Sequence, residues 1–197
     1  MLKKKKKGSV IIISSPSGAG KTTIAKKLVS TYPNIVLSVS LTTRKARANE
    51  INGKDYKFVS KKLFKKKISD KSFLEHAIVF DNFYGTLKNQ VFKNINKGKN
   101  VLLDIDWQGA RQVKKNIPDN IISIFILPPS LKELKKRLLN REKNLSFVKK
   151  RMSKAKKEIT HWKEYDFAIV NDNLQNCLTK IINILNVSMH KSNRQFI

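Results

Sequence analysis

The chain has 197 residues, 40% hydrophobic and 28% charged, which is enough to bury the core of one α/β domain. Lysine and arginine outnumber aspartate and glutamate 42 to 14 for a net charge of +28, but the lysines run through every segment without interleaved aromatics. That distribution argues against specific nucleic-acid binding. The single Cys177, the absence of any apolar run near the roughly 18 residues of a membrane span, and a basic start (MLKKKKKG) with no cleavage site lead to an expectation of a cytoplasmic protein without internal disulfide, membrane-spanning helix or signal peptide.

Taken in order, Lys3 to Lys7 reads as a solvated tail. The β-branched run Val10 to Ile13 predicts a strand over 9–14, and a helix over 21–31 stops before Pro33. Between them lies SSPSGAGKTT, residues 14–23. A strand feeding a glycine-containing turn that opens a helix at Lys-Thr is the architecture of a phosphate cradle. In the loop Ser15-Pro16-Ser17-Gly18-Ala19-Gly20, the residues Ser17, Gly18 and Gly20 let successive amides curl inward around an anion. Lys21 then reaches the β- and γ-phosphates, and the Thr22 hydroxyl can sit on Mg²⁺. Ser15 stands where the full pattern has glycine. The loop predicts a nucleoside triphosphate site.

Further along, 36–40 reads as a short strand, 55–59 as extended chain and 63–69 as a short helix. Residues 73–80 fit strand or helix equally, and 82–85 reads as a turn. A helix over 86–96 closes at Gly98, NVLLDI at 100–105 is a buried strand, and 107–116 is a helix ended by Pro118. A strand over 121–127 stops at Pro128-Pro129, after which Ser130 caps a helix to about 140, with Glu133 completing a capping box. A polar connection over 141–146 leads to a helix through Trp162, a strand over 167–170 and a last helix over 174–188.

Apolar strands alternating with helices imply a parallel sheet covered on both faces. Residues 40–90 lack that rhythm and read as an inserted subdomain. The expected division is a core of 8–39, 91–136 and 153–190, an insert of 40–90, a lid of 137–152 and frayed tails at 1–7 and 191–197.

Two features carry chemistry beyond the loop. The strand at 101–106 delivers Asp104 and Asp106 to its C-terminal end, where open α/β sheets bind ligands, and an extended chain would project both from one face. Arg137 and Arg141 share a helical face, with Arg151 beyond them, and planar guanidinium groups on a lid suit the charge of phosphoryl transfer. His76, His161 and His190 are too far apart for a metal site, and Cys177 has no base near it.

The segment TRKARANEINGKDYKFV at 43–59 resembles the signature of guanylate kinases. FLEHAIVFDNFYGT at 73–86, LLDIDWQGA at 102–110, SIFILPPS at 123–130 and IVND at 169–172 are similar to the same family, so the likeness runs from about residue 9 to 185. The resemblance implies a P-loop NTPase fold with an inserted mixed α+β GMP-binding subdomain and a small lid. It also implies Mg²⁺-dependent transfer from ATP to GMP, giving ADP and GDP. Carried over residue by residue, Arg44, Arg47, Tyr56 and Tyr84 would hold the GMP phosphate. Ser40, Glu75, Thr86 and Asp106 would read guanine, Glu50 would support the arginines, and Gly85 would permit close backbone approach. Asp104 would lie near the metal, Arg137, Arg141 and Arg151 would be lid arginines, and Asn171 would face the adenine side of ATP. A carboxylate at 75 suits the adjacent N1–H and N2–H₂ donors of guanine.

The chain departs from that family at Glu142, where glycine usually follows the arginine, in an interval to Arg151 that is about one residue short, and at Asn173, where aspartate is commoner. Two rivals share the resemblance: a non-catalytic interaction module, which typically lacks the loop lysine and acceptor arginines kept here as Lys21, Arg44 and Arg47, and a kinase for another base.

Overall fold

The computed structural model describes residues 7–141 and 144–189, with the side chains of Arg141 and Met189 outside that set. Its core is a five-stranded sheet of order β2-β7-β1-β8-β9, formed by β1 (Val10–Ser14), β2 (Ile35–Leu37), β7 (Asn100–Asp104), β8 (Ile121–Leu127) and β9 (Phe167–Val170). Every pairing in it is parallel.

Alternation along β1 explains why both faces are covered. Ile11 and Ile13 pack with Ile24, Ala25 and Leu28 of α1 (Lys21–Thr31) and with Leu178, Ile181 and Leu185 of α7 (Leu174–Met189). Val10 and Ile12 pack on the opposite face with Val91 and Ile95 of α3 (Lys88–Asn96) and Ala110 and Val113 of α4 (Trp107–Asn116). Each of these strand residues is essentially sealed from solvent, as expected of a central strand with helices on two sides.

A second, mixed sheet of order β4-β3-β6-β5 lies between residues 41 and 87: β3 (Leu41–Thr42), β4 (Lys57–Phe58), β5 (Phe73–Val79) and β6 (Asn82–Leu87). One face is sealed by Phe64 of α2 (Lys61–Ser69), which stacks on Phe73 with ring centroids 4.5 Å apart. Helix α4 ties β5 to the core through its amides. Gln112 Nε2 donates to the His76 carbonyl (2.8 Å), its Oε1 accepts from the His76 N–H (3.1 Å), and Asn116 Nδ2 donates to the Leu74 carbonyl (2.8 Å). An edge strand is thereby given partners for peptide groups that would otherwise need water.

Helices α5 (Leu131–Arg141) and α6 (Leu145–Ile159) pack Leu134, Leu138, Val148 and Ala155 against Ala19 of the phosphate loop. Ser130 accepts from the Glu133 N–H at 3.0 Å as expected, but the Glu133 carboxylate turns to Arg137 instead of closing the capping box. A 3₁₀ turn over Thr160–Glu164 follows α6, so the helix expected to run through Trp162 tightens early.

Three expectations need correction. The strand placed at 36–40 ends at Leu37: the Ser38 amide makes the last bond to Leu102, and the chain then leaves for the second sheet at Leu41. The turn placed at 82–85 is strand β6, and the real turn is Phe80-Asp81, where both residues have positive φ (48° and 64°) between the paired Val79 and Asn82. That is the backbone of a primed two-residue hairpin, which ordinarily selects Asn-Gly and not Phe-Asp. Finally, the strand carrying Asp104 stops there, and Asp106 swings out to cap α4 by accepting from the Gly109 N–H at 3.0 Å. The two carboxylates therefore do not sit side by side on an extended strand.

Candidate active site

Parallel pairing of β1 with β7 sets Ile13 beside Asp104, so the phosphate loop and the carboxylate emerge together at the C-terminal ends of adjacent strands. Gly18 and Gly20 take φ of 96° and 99°, open to glycine at no steric cost. A Cβ at Gly20 would come within 2.5 Å of Asn171 Nδ2. Helix α1 has no side-chain cap and no acidic residue in its first turn, leaving its leading amides and dipole for an anion.

The Lys21 ammonium pairs with Asp104 Oδ1, and the Thr22 hydroxyl donates to Asp104 Oδ2 at 3.1 Å. Burial alone would lower the Lys21 pKa, but the Asp104 carboxylate outweighs it and holds the ammonium above its ordinary value. Ser15, Ser17, Gly18, Gly20, Lys21 and Thr22 line one wall of a cleft of about 400 Å³, with Asp104 and Asp106 at its floor. Pro16 and Ala19 shape the loop from behind: Ala19 is buried, its N–H bonds the Pro16 carbonyl, and its carbonyl accepts from Asn171 Nδ2 at 2.8 Å. Asn171 is therefore a support beneath the loop, with its own carbonyl accepting from Arg137 Nη2 at 3.2 Å.

The opposite wall belongs to the second sheet. Arg44 Nη2 donates to Glu50 Oε1 (2.9 Å), Arg44 Nε donates to the Tyr84 hydroxyl (3.2 Å), and the guanidinium lies 5.5 Å from the Tyr56 ring centroid. Glu50 Oε2 accepts from the Arg47 N–H at 2.8 Å, so one carboxylate braces both arginines. Burial works against ionisation of Glu50, yet Arg44 and the Arg47 amide outweigh it and keep its pKa below the usual range. The Tyr56 hydroxyl is pushed up to about 12, chiefly by burial, and stays a neutral donor.

Deeper in the cleft, Glu75 is 3% exposed and sits opposite Thr86, just after a register shift between Phe73 and Glu75. Such bulges re-aim side chains near sites. Burial, reinforced by the nearby Asp106, raises the Glu75 pKa to about 7 against the opposing Thr86 bonds. The Ser40 and Thr86 hydroxyls are 3.1 Å apart beside it. Gly109 of α4 backs the carboxylate, since a Cβ there would come within 2.5 Å of Glu75 Oε2. The close approach at Gly85 is to the Phe73 ring, 2.8 Å from where its Cβ would stand.

From the α5–α6 side, Arg137 and Arg151 line the cleft, and Arg151 Nη1 donates to the Ser17 hydroxyl at 3.2 Å. The Arg141 side chain and residue 142 lie outside the described residues, as do His190 and the tails before 7 and after 189. His76 belongs to the α4–β5 junction, and His161 stacks on Trp107 at 3.8 Å while pairing with Glu164 at 2.6 Å.

Sequence reasoning missed Glu158, Phe80 and Phe147, all on the cleft. Glu158 faces the Ser17 amide, and burial raises its pKa despite that bond. Its spacing of seven from Arg151 puts both on one face of α6, a signal that was available. Nothing comparable marked Phe80, because its turn carries the wrong residues for its backbone.

The family model described as guanylate kinase matches residues 7–188. The chain is 48% identical to guanylate kinase of Maricaulis maris, covering 95% of this chain and 86% of that one. It is 47% identical to guanylate kinase of Rickettsia bellii over 96% of this chain and 99% of the other. Among solved structures, guanylate kinase from Anaplasma phagocytophilum superposes with a TM-score of 0.83 at 40% identity, covering 97% of this chain and 91% of that chain. A phosphate loop facing an arginine–tyrosine cluster, in a chain matched almost end to end, leads to one assignment: the chain belongs to the guanylate kinase family.

Proposed function

We propose that the protein transfers the γ-phosphoryl group of ATP to GMP, giving ADP and GDP. The observation that carries this reading is one cleft with a phosphate loop on one wall and, on the other, Arg44, Tyr56 and Tyr84 beside the buried Glu75. Residues 14–23 hold the ATP phosphates on amides and Lys21. Arg44, Arg47, Tyr56 and Tyr84 grip the GMP phosphate, and Glu75, with Ser40, Thr86 and Asp106, receives the guanine. In this reading residues 40–90 form the acceptor subdomain and 137–152 the lid.

A GMP phosphate oxygen forms the new bond to the γ-phosphorus as the bond to the bridging oxygen of ADP breaks. Arg137 and Arg151, which line the cleft, are assigned to the charge that spreads over the transferred group. Arg141 is assigned with them by its place in the sequence. No nucleophile–base pair is needed, because positioning and charge stabilisation suffice for direct transfer.

Among the described residues no group of three His, Cys, Asp or Glu could hold a metal unaided. The adjacent Thr22 hydroxyl and Asp104 carboxylate are hard oxygen donors that fit Mg²⁺ arriving with ATP, whose phosphates complete its ligand set. When bound, the ion neutralises phosphate charge; the chain's own part is to hold Lys21, Thr22 and Asp104 in register.

No described helix is long and apolar enough to cross a membrane. We assign the protein to the cytoplasm, consistent with the single, buried Cys177. The lysines spread over α2, α5 and α6 fit general steering of anionic nucleotides and no specific nucleic-acid partner. An ADP-release assay with ATP and Mg²⁺ across GMP, AMP, CMP and UMP tests the reading. Turnover with GMP at least about 10²-fold above the others supports it, and equal rates with AMP defeat it.

A further inference from the structure

The β5–β6 hairpin does more than carry Glu75 and Tyr84, because its tip reaches across the cleft to α6. Phe80 stacks on Phe147 with ring centroids 6.3 Å apart at 29°. The Arg151 guanidinium lies 5.5 Å from the Phe80 centroid and 5.2 Å from that of Phe147, and Lys154 Nζ lies 4.3 Å from Phe80. Asp81, next in the turn, pairs with Lys150 at 3.3 Å. The hairpin therefore meets one helix through an aromatic pair, two cation–ring contacts and an ion pair.

The backbone supports a specific role for this tip. Phe80 holds φ of 48°, a left-handed conformation uncommon for a bulky side chain. Local turn chemistry would place asparagine or glycine there, so the contacts across the cleft supply what the turn itself lacks. Arg151, 7% exposed, is fixed on its other side by the Ser17 hydroxyl in the phosphate loop. Phe80 on the acceptor side and Ser17 on the donor side thus meet at one guanidinium.

We propose that Phe80 is a positioning residue for Arg151, through which occupation of the acceptor site sets the arginine over the donor phosphates. This rests on the reading that the second sheet binds GMP. The consequence is reciprocal: GMP strengthens ATP binding, and the increment passes through the ring of Phe80. Loss of the ring leaves each nucleotide site intact on its own and uncouples them.

The test is calorimetric titration of a β,γ-imido analogue of ATP with and without saturating GMP, together with kcat, for the unchanged protein and for Phe80→Ala, Phe80→Leu and Phe80→Tyr. GMP is expected to tighten the analogue by about fivefold or more in the unchanged protein and in Phe80→Tyr, and by less than about twofold in Phe80→Ala. A fall in kcat of about tenfold accompanies that loss, while GMP binding alone stays within about twofold, as expected for misplacement of one arginine. An undiminished enhancement in Phe80→Ala, or none in the unchanged protein, overturns the proposal. Phe80→Leu behaving like Phe80→Tyr removes the cation–ring contact as its basis. Lost affinity for GMP alone in Phe80→Ala overturns it in favour of a scaffolding role. Absence of GMP binding by the unchanged protein instead refutes the acceptor-site reading itself.

Discussion

The two walls of the cleft are built by different means. In the proposed reading the donor wall is a short stretch of consecutive residues, 14–23, that offers ATP mainly the backbone amides of a loop turned by Gly18 and Gly20 and of an uncapped helix. The acceptor wall is assembled from side chains at positions 40, 44, 47, 50, 56, 75, 84 and 86, brought together by a sheet of mixed pairing. A backbone cradle recognises any polyphosphate, whereas side-chain pairs can discriminate one base and one phosphate. Generality and specificity thus occupy opposite sides of the same cavity.

The largest expected effect breaks the donor wall. Lys21→Ala removes the ammonium paired with Asp104 and should lower kcat by about 10²–10³-fold while the KM for GMP changes little. A variant retaining full turnover in a steady-state assay would show that the loop does not hold the reacting phosphates.

The next effect sharpens the acceptor wall. Glu75, with a pKa near 7, must be ionised to accept from guanine, so the KM for GMP should fall about tenfold from pH 6 to pH 8. Glu75→Gln flattens that dependence and leaves only the titration of the GMP phosphate itself. A pH profile unchanged by Glu75→Gln would remove the guanine-reading role. The same carboxyl makes a stability prediction of definite sign. Its folded pKa is raised from 4.5, so the native state holds the proton more tightly than the unfolded chain. Stability should therefore decline as pH rises from 4.5 to 7, with the cost fully present above that window. Melting of Glu75→Gln should occur above that of the unchanged protein at pH 8, with the difference closing towards pH 4.5.

A smaller effect tests the support behind that wall. Gly109→Ala forces a Cβ to within 2.5 Å of Glu75 Oε2, and the carboxylate must shift. The KM for GMP should rise about five- to tenfold, with the KM for ATP within about twofold. Equal effects on both nucleotides would indicate a general disturbance of α4.

This contrast also explains what could be read before the structure. The donor wall was legible because strand, loop and helix are contiguous, and α1 begins and ends where its pattern indicates, at Lys21 and Thr31. Helix α4 and strands β8 and β9 were equally plain, since continuous apolar runs or helical spacing stop at Pro118, Pro128 and the polar residues after Val170. The acceptor wall was legible only through its family likeness, because nothing local distinguishes the buried Glu75 from a solvated one. Asp106 was misjudged since a strand pattern does not reveal where the strand gives way to a cap. The hairpin was misplaced because Phe80-Asp81 obeys a tertiary demand, its contacts with α6, over the usual preference of its turn.

The most direct test of the account is a crystal structure with GMP and the β,γ-imido analogue of ATP bound together. The account predicts the guanine edge on the Glu75 carboxylate, the GMP phosphate between Arg44, Tyr56 and Tyr84, and the analogue's phosphates on the amides of residues 17–22. GMP bound anywhere else, or with its base turned away from Glu75, would contradict it.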